Sequence, residues 1–308
     1  MTDIASLSLL GVYSAMLVYT ASFLFFTFDL AKRSANTPAL VMAGGGEAPQ
    51  RAEPEVTTKG GRAYQRIGIV LLVVGFGFHL LATLGRGIAA SRVPWANMFE
   101  FGLTATVLIV AVFLGTLLWK DLSYLGAFVS GFVLLALGIV TVNFYVDVVP
   151  LPPALQSSWL VIHVFVASLA TAFFALGAGL SIFQLIRARY ESRKMAGARL
   201  MNTLPSASVL ESLAYRLNVI GFVFWSFTLI AGAIWAERAW GRYWGWDTKE
   251  VWTFIIWVLF AGYIHARATR GWRGSRSAIL AIVGFGAVLF NYTVVNIAFT
   301  GLHSYSGL

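Results

Sequence analysis

"FGLTATVLIVAVFLGTLLW" (residues 101–119) is followed, after Lys120 and Asp121, by "LSYLGAFVSGFVLLALGIVTVN" (residues 122–143). Each of the two runs is predominantly apolar and close to the ~20 residues that an α-helix needs to cross about 30 Å of hydrocarbon. The two charged residues between the runs leave room only for a short turn. The stretch therefore predicts two consecutive transmembrane helices.

The same signal recurs along the whole chain of 308 residues. The hydrophobic share is 58% and the charged share 11%, whereas about 25% of the residues of a soluble domain are charged. We therefore predict an all-α, polytopic transmembrane helix bundle with about eight spans. The six further spans lie near 6–30, 67–89, 158–186, 213–236, 251–266 and 277–299.

The predicted spans divide the chain into three parts. Residues 1–33 hold the first transmembrane helix; Asp3 rather than a basic residue precedes its apolar run, so we expect a retained helix and not a cleaved signal peptide. Residues 34–66 are rich in Ala, Gly, Pro and Glu without apolar periodicity, which predicts a flexible, basic cytoplasmic linker. Residues 67–308 form the main membrane domain.

The basic residues predict the orientation of the bundle. Of the 22 Lys and Arg residues, 17 fall in the connections that follow the odd-numbered spans. The positive-inside rule assigns these connections to the cytoplasm, so both termini and the Trp-rich segment near 237–252 are predicted on the outer side. This topology accounts for most of the net charge of +9, and no nucleic-acid partner is expected.

The chain contains no cysteine, so it can supply neither a disulfide nor a thiolate, and any thiol chemistry must belong to a partner. We also find no GxSxG or HExxH motif and no phosphate-binding glycine loop. Candidate functional residues must therefore be sought among polar side chains in the membrane or at its outer boundary.

Four histidines meet that description. The topology predicts His163 and His303 at the outer boundary, His79 midway through the second span and His265 near the cytoplasmic end of the seventh. A histidine in a membrane is costly and needs a partner or a ligand, although each one alone is equally well explained as a packing residue. As a set they suggest haem, whose iron two neutral imidazoles can hold from opposite faces.

The segment "WGRYWGWDTKEVW" (240–252) supports this interpretation. An aromatic belt would spread the eleven tryptophans over many helix ends, but five of them crowd one helix–loop–helix junction, where their rings can cover a porphyrin plane. These five are Trp235, Trp240, Trp244, Trp246 and Trp252. Three outward basic residues can pair with the two propionates of haem, namely Arg238, Arg242 and Lys249. Asp247 and Glu250 are better explained as caps of the next helix or partners of Lys249 than as iron ligands.

At this point the residues carry a family resemblance. Residues 240–252 resemble the WWD signature of the haem-handling proteins of cytochrome c maturation. "SWLVIHVFVA" (158–167) and "GLHSYSG" (301–307) resemble the flanking segments of the CcsA family, also called ResC, and "RVPWANMFE" (92–100) resembles its Pro-x-x-Asn-x-x-Glu loop. The likeness runs from about residue 67 to the C-terminus, and Thr248 stands where the family usually has proline.

The resemblance implies a function in cytochrome c biogenesis. A CcsA-type protein works with a CcsB (ResB-like) membrane protein as a holocytochrome c synthase, which presents haem b for thioether attachment to the CxxCH cysteines of an apocytochrome c. A thiol-reducing protein keeps those cysteines reduced, and the chain itself provides no nucleophile. By position, His163 and His303 match the outer axial ligands, and His265 matches an intramembrane histidine of the haem path. His79 has no firm counterpart but points into the same bundle. The resemblance assigns haem contact to Trp240, Trp244, Gly245, Trp246, Asp247 and Trp252.

Three other functions are compatible with parts of this pattern. A CcmC-like haem chaperone or exporter shares the WWD segment without ligation activity, but it is typically shorter and has fewer spans. A b-type haem electron-transfer protein would place its histidine pairs on shared helices, and a transporter would show broken helices in pseudo-symmetric halves. The eight predicted spans and the 92–100 loop favour the CcsA type. The Gly- and Ala-rich linker favours a bacterial plasma membrane over a thylakoid.

Overall fold

The computed structural model describes residues 2–36, 59–151, 155–193, 199–269 and 271–303. All regular secondary structure in these ranges is helical. The helices are α1 (Thr2–Asn36), α2 (Lys59–Ala90), α3 (Met98–Trp119), α4 (Gly126–Asn143), α5 (Ser158–Arg193), α6 (Arg199–Asn202), α7 (Ala207–Trp240), α8 (Thr248–Thr269), α9 (Ser275–Tyr292) and α10 (Val294–Ala298), with a 3-10 turn at Ser123–Leu125 before α4.

Within the described ranges, eight helical segments are long and apolar enough to cross a membrane. These spans are Asp3–Ala35, Ala63–Ala90, Met98–Trp119, Ser123–Asn143, Ser158–Ser192, Ala207–Trp240, Thr248–Thr269 and Ser275–Ala298. The prediction of an all-α transmembrane bundle with eight spans is therefore confirmed. The short α6 lies between the fifth and sixth spans, and α10 completes the eighth.

Successive spans cross in alternate directions, so four stretches of chain meet at one end of the bundle. They are the connections from α2 to α3, from α4 to α5 and from α7 to α8, and the segment after α10. Hydrogen bonds join them: Arg86 reaches the carbonyl of Val146, and His303 reaches Asp247. We call this the histidine end, because His163 and His303 lie there.

At the opposite end, α1 and α2 continue into the segment that the sequence predicted to be a linker. Residues 34–36 and 59–66 are helical, and the rest of the predicted linker, 37–58, lies outside the described residues. Polar contacts explain the extension, because Arg33 pairs with Asp29 at 2.8 Å and donates to Gln65 of α2 at 2.7 Å. Such pairs keep both helices regular beyond their apolar stretches.

The centre of the bundle is packed around α5 and α7. Phe174 of α5 stacks on Phe260 of α8 with 3.6 Å between ring centroids and 6° between the planes. Gly221 of α7 faces the same ring, where a Cβ atom would lie 2.8 Å from Phe174. A small residue at this position lets the two helices approach closely. The close packing fixes the start of α5 and the end of α7, which carry the polar site described next.

Candidate functional site

A cavity of about 240 Å³ lies at the histidine end of the bundle. Side chains of α3, α4, α5, α7, α8 and α9 form its wall, and most of them are apolar or aromatic. Its polar lining includes Asn97, His163, Lys249, Glu250, Asn291, Asn296 and His303. A largely apolar cavity with a few polar groups is the usual form of a small-molecule site.

His163 enters this cavity from the second turn of α5. Its Nδ1 lies 3.0 Å from the carbonyl oxygen of Thr228 on α7. A carbonyl oxygen only accepts, so Nδ1 carries the proton and Nε2 keeps its lone pair. Gly232 makes room for the ring, because a Cβ atom there would lie 2.7 Å from the imidazole. The local packing therefore sets both the position and the tautomer of His163.

His303 reaches the cavity from the segment after α10. Its Nδ1 lies 2.5 Å from Oδ2 of Asp247, which stands at the start of α8. The carboxylate accepts this bond, so Nε2 is again the nitrogen with a free lone pair. The hydrogen bond from His303 also holds the pKa of Asp247 below its usual range. Both cavity histidines thus have Nδ1 engaged by an oxygen acceptor.

Trp235 contacts both of these histidines. Its ring stacks on His163 with 6.0 Å between centroids and 14° between planes. It meets His303 edge-on at 5.4 Å. Trp235 is almost completely buried and belongs to a small cluster with Leu160 and Val164. The sequence predicted the crowding of this tryptophan but not its contact with both rings, which depends on the meeting of α5, α7 and the chain after α10.

The tryptophans of the WWD segment, which the sequence predicted to contact haem, lie in different places relative to the cavity. Trp244 lines the cavity. Trp240 packs on Trp235 at 4.7 Å and on His303 at 4.8 Å. Trp252 faces away from this group and packs on Phe290 at 4.3 Å.

The turn itself is tight. Gly241, with φ +70°, ends α7 in the left-handed conformation, and Trp246 has φ +59°. Trp246 is 74% exposed, and its ring stands at right angles to that of Trp244 with 5.9 Å between the centroids. The guanidinium of Arg242 lies against Gly245, in the space that a Cβ atom at this position would occupy. Trp246 and Gly245 therefore shape the turn and do not line the cavity.

The two carboxylates of the segment organise the start of α8. Oδ1 of Asp247 accepts from the backbone N–H of Thr248 at 3.0 Å. Oε2 of Glu250 accepts from the backbone N–H groups of Gly245 at 2.8 Å and Asp247 at 3.1 Å. Glu250 supplies one half of a helix-capping box, because it accepts from the N–H of Asp247, whereas the Asp247 carboxylate accepts from the first N–H of the helix and not from that of Glu250. This network of bonds fixes the turn. It also explains why Thr248 replaces proline without loss of the turn, since the side chains of Asp247 and Glu250 hold the backbone.

The three basic residues proposed for haem propionates differ in placement. The Nζ atom of Lys249 lines the cavity side of α8 and donates to Oδ1 of Asn296 at 2.7 Å and to the carbonyl of Asn291 at 3.1 Å. Arg242 lies 3.8 Å from Glu250 and outside the cavity lining. Arg238 is exposed. Of these three cations, only Lys249 borders the cavity; its hydrogen-bond partners are neutral, and the carboxylate of Asp247 stabilises its charge from a distance.

The other two histidines are elsewhere. His79 is fully buried between α1, α2 and α3, with Nδ1 3.3 Å from the hydroxyl of Tyr19 and Nε2 3.0 Å from the carbonyl of Leu103. Thr106, which lines the cavity, lies 3.5 Å from the same Nε2. His265 is exposed near the other end of α8. The structure thus places His163 and His303 at the same cavity, whereas the side chain of Thr106 separates His79 from it.

A buried charge cluster that the sequence did not predict joins α2, the loop before α3 and the start of α3. Glu100 is fully buried and pairs with Arg86 at 3.0 Å and Arg92 at 2.6 Å. Asn97 caps α3 through Oδ1, which accepts the N–H of Glu100 at 2.9 Å. The Nδ2 atom of Asn97 is buried without a hydrogen-bond partner among the described residues, although Asn97 lines the cavity. The cluster thus anchors a loop that presents an unsatisfied donor to the cavity.

The donor set of the cavity restricts what it can hold. The described residues contain no group of three or more His, Asp or Glu side chains able to bind a bare metal ion. Two imidazoles suffice where a macrocycle supplies the other four ligands, as porphyrin does for iron. The two free Nε2 atoms, the tryptophan walls and Lys249 all fit haem.

The fold and this cavity define a polytopic, all-helical membrane protein with a histidine pair in a tryptophan-lined site. Residues 95–303 match the sequence profile of the family described as Cytochrome C assembly protein. The cytochrome c biogenesis protein CcsA of Guillardia theta is 36% identical over 262 residues, covering 76% of this chain and 86% of the relative. CcsA of Prochlorococcus marinus is 35% identical over 269 residues, covering 79% and 83%. The chain belongs to the cytochrome c assembly family, as a CcsA-type member.

A solved structure shares the fold. The chain named Cytochrome c Heme Lyase CcmF superposes with a TM-score of 0.66 at 18% sequence identity. The match covers 94% of this chain but 46% of that one, so the present chain spans about half the length of the CcmF chain. The sequence-based expectation of a CcsA-type membrane protein of cytochrome c biogenesis is confirmed, and the CcsA relatives favour it over the CcmC type.

Proposed function

We propose that this chain is the haem-presenting subunit of a cytochrome c synthase. It holds haem b, as substrate, in the cavity between His163 and His303 and presents the vinyl groups to an apocytochrome c. In this proposal it works with a CcsB-like membrane partner, and a thiol-reducing protein keeps the CxxCH cysteines reduced. The histidine end faces outward, as the positive-inside rule predicts, and the membrane is a bacterial plasma membrane.

One observation carries the proposal. Both cavity histidines donate Nδ1–H to an oxygen acceptor, the carbonyl of Thr228 for His163 and the carboxylate of Asp247 for His303. This is the arrangement by which proteins orient metal-ligating histidines and fix their tautomer. Two histidines whose Nε2 lone pairs are both available, at one cavity, fit axial ligation of iron better than they fit packing.

The remaining lining residues support haem as the ligand. Trp244 offers a flat aromatic wall to the porphyrin. The hydrogen-bond partners of Lys249 are both neutral, and the buried Nδ2 of Asn97 lacks an acceptor among the described residues, so a carboxylate of the ligand would give each of them an anionic acceptor. We propose Lys249 as the principal propionate contact, with Arg242 and Arg238 assisting from outside the lining. Trp240 and Asp247 act on haem through His303.

In this reaction the role of the chain is to position haem. Each cysteine S–H adds across a vinyl C=C bond, so that one S–C bond and one C–H bond form and no group leaves. Haem supplies the reactive vinyl carbons, and the partner supplies both thiols, which agrees with a chain that contains no cysteine. Holding the vinyl groups near the thiols accelerates the addition by proximity. We propose that His265 and His79 belong to the route by which haem reaches the cavity.

The test is the absorption spectrum of the chain purified with its CcsB-like partner. We expect low-spin haem in the wild type, loss of that spectrum in His163→Gly and His303→Gly, and its return with imidazole. Gln156→Gly, an exposed residue at the same end, is the matched control and should behave as wild type. A wild-type complex without haem, or a spectrum indifferent to both histidines, would refute the site. A co-expressed CxxCH reporter then separates a synthase, which yields covalent haem, from a CcmC-like chaperone, which does not.

A further inference from the structure

We propose that Asp247 is the positioning residue of His303 and that it makes the two haem ligands unequal. His303 is the ligand that holds haem, and His163 is the ligand that gives way when the histidine of the CxxCH segment arrives. This inference rests on the proposed function and deepens it, because the sequence and the family resemblance leave the two histidines equivalent.

Asp247 is held in place by hydrogen bonds at the start of α8. Its backbone N–H donates to Glu250 at 3.1 Å, and its backbone carbonyl accepts from Val251 at 3.0 Å. Its Oδ1 accepts from Thr248 at 3.0 Å, which leaves Oδ2 for His303. Asp247 is thus held at the start of α8 by three hydrogen bonds, two through its backbone and one through its carboxylate, and the 2.5 Å bond from His303 ties the imidazole to this fixed residue.

The chain after α10 approaches Asp247 closely. A Cβ atom on Gly301 would lie 2.2 Å from Oδ1 of Asp247, so only glycine lets the backbone pass against this carboxylate. His303 follows two residues later. The backbone at Gly301 therefore runs directly against Asp247, and this path brings His303 within hydrogen-bond distance of the carboxylate.

His163 and His303 differ in the acceptor that binds their Nδ1–H. The acceptor of His163 is a neutral backbone carbonyl at 3.0 Å, whereas that of His303 is a carboxylate at 2.5 Å. Hydrogen bonds to ionised acceptors are shorter and roughly twice as strong as neutral ones. A carboxylate partner also raises the basicity of a metal-ligating imidazole. His303 is therefore the stronger donor to iron.

The consequence concerns ligand exchange. When a new histidine enters, one bond from iron to nitrogen breaks and one forms, and the weaker bond breaks first. That bond belongs to His163. His303 then keeps haem in place while the cysteines of the partner reach the vinyl groups.

The experiment is a double-mutant comparison on the complex with the CcsB-like partner. Asp247→Asn keeps a side chain that caps helices well, so α8 should still form. We expect Asp247→Asn to weaken haem retention by about 10- to 100-fold, the usual effect of losing such a partner. It should also raise the reduction potential of the bound haem, because a less basic ligand stabilises the ferric state less. Asp147→Asn, an exposed acid at the same end, is the control and should change neither.

The single-histidine variants decide whether Asp247 acts through His303. His163→Gly should retain more haem than His303→Gly, each measured without imidazole. Asp247→Asn should lower retention further in the His163→Gly background and have no additional effect in the His303→Gly background. An equal additional loss in both backgrounds would mean general structural damage and overturn the inference. So would an unchanged potential in Asp247→Asn, or equal retention by the two histidine variants. If the wild-type complex holds no haem, the proposed function itself fails.

Discussion

Arg86 of α2 and Glu100 of α3 form an ion pair at 3.0 Å, and both side chains are almost completely buried. Arg92 adds a second bond to the same carboxylate at 2.6 Å. Removing one member of a buried cluster leaves the others as uncompensated charges, which is strongly destabilising. The cluster therefore stabilises the loop that carries Trp95 and Asn97 into the cavity wall.

Glu100→Ala should lower the free energy of unfolding by about 3–5 kcal/mol. Thermal unfolding in detergent, or the amount of folded protein in the membrane, measures the effect. Glu191→Ala is the matched control, because Glu191 pairs with Arg187 at 2.9 Å but is 36% exposed. Arg187 is buried, but solvent reaches Glu191, so the loss of this carboxylate should cost less than the loss of the fully buried Glu100. Similar losses in the two variants would show that the Glu100 cluster is not a structural anchor.

Gly232→Ala should displace His163. The added Cβ atom would lie 2.7 Å from the imidazole, so the ring must leave its bond to Thr228. We expect haem binding to weaken about 10-fold or more, visible as loss of the low-spin absorption spectrum. In Gly286→Ala, where an added Cβ atom meets nothing within 4 Å, the spectrum should be unchanged.

Trp244→Ala should weaken haem binding while Trp246→Ala has a smaller effect. Trp244 lines the cavity, whereas Trp246 is 74% exposed. An aromatic contact contributes roughly 0.5–1.5 kcal/mol beyond its buried area. Titration of haem into the two purified complexes measures the difference. Equal affinities would argue that the cavity rearranges around haem so that both rings touch it.

Lys249→Met should weaken the binding of haem but not that of haem dimethyl ester, which lacks the propionate charges. Loss of a hydrogen bond to a charged group costs about 1.5–3 kcal/mol. Arg238→Met, at an exposed position outside the cavity lining, is the comparison and should lose less. If Lys249→Met lowers the affinity for haem and for the ester alike, Lys249 supports the fold through Asn296 and does not bind propionate.

The orientation of the bundle can be tested directly because the chain has no native cysteine. We expect Leu302→Cys, at the histidine end, to react with a membrane-impermeant maleimide applied outside intact cells. Arg273→Cys, in the connection before α9, should react only after the membrane is opened. Both residues are exposed. The reverse pattern of labelling would place the histidine end in the cytoplasm.

The sequence predicted the elements of this structure far better than their contacts. Long apolar runs define spans because the membrane imposes their length, and all eight spans lie where they were expected. The crowding of tryptophans could be predicted because these residues are close in the sequence, and the histidine pair could be predicted because the chain has only four histidines. The bond from His303 to Asp247 was not, because it joins residues 56 positions apart and depends on how α8 meets the chain after α10.

The surroundings of the four histidines were also harder to predict than their positions along the spans. His79 is fully buried and His265 is exposed, although both lie in apolar helices with little to distinguish them. The face of a transmembrane helix that meets its neighbours is set by packing, and apolar residues surround such a histidine on every side. The sequence therefore predicts the depth of a histidine in the membrane but not whether it borders a cavity.

His163 belongs to the fifth span, and His303 follows the eighth. The pair can form only after the last span has been inserted and the chain has folded back to Asp247. A nascent or partly inserted chain therefore offers at most half of the binding site. In the proposed function, assembly in the membrane therefore acts as a checkpoint, because haem would find both of its proposed ligands only on a fully inserted protein.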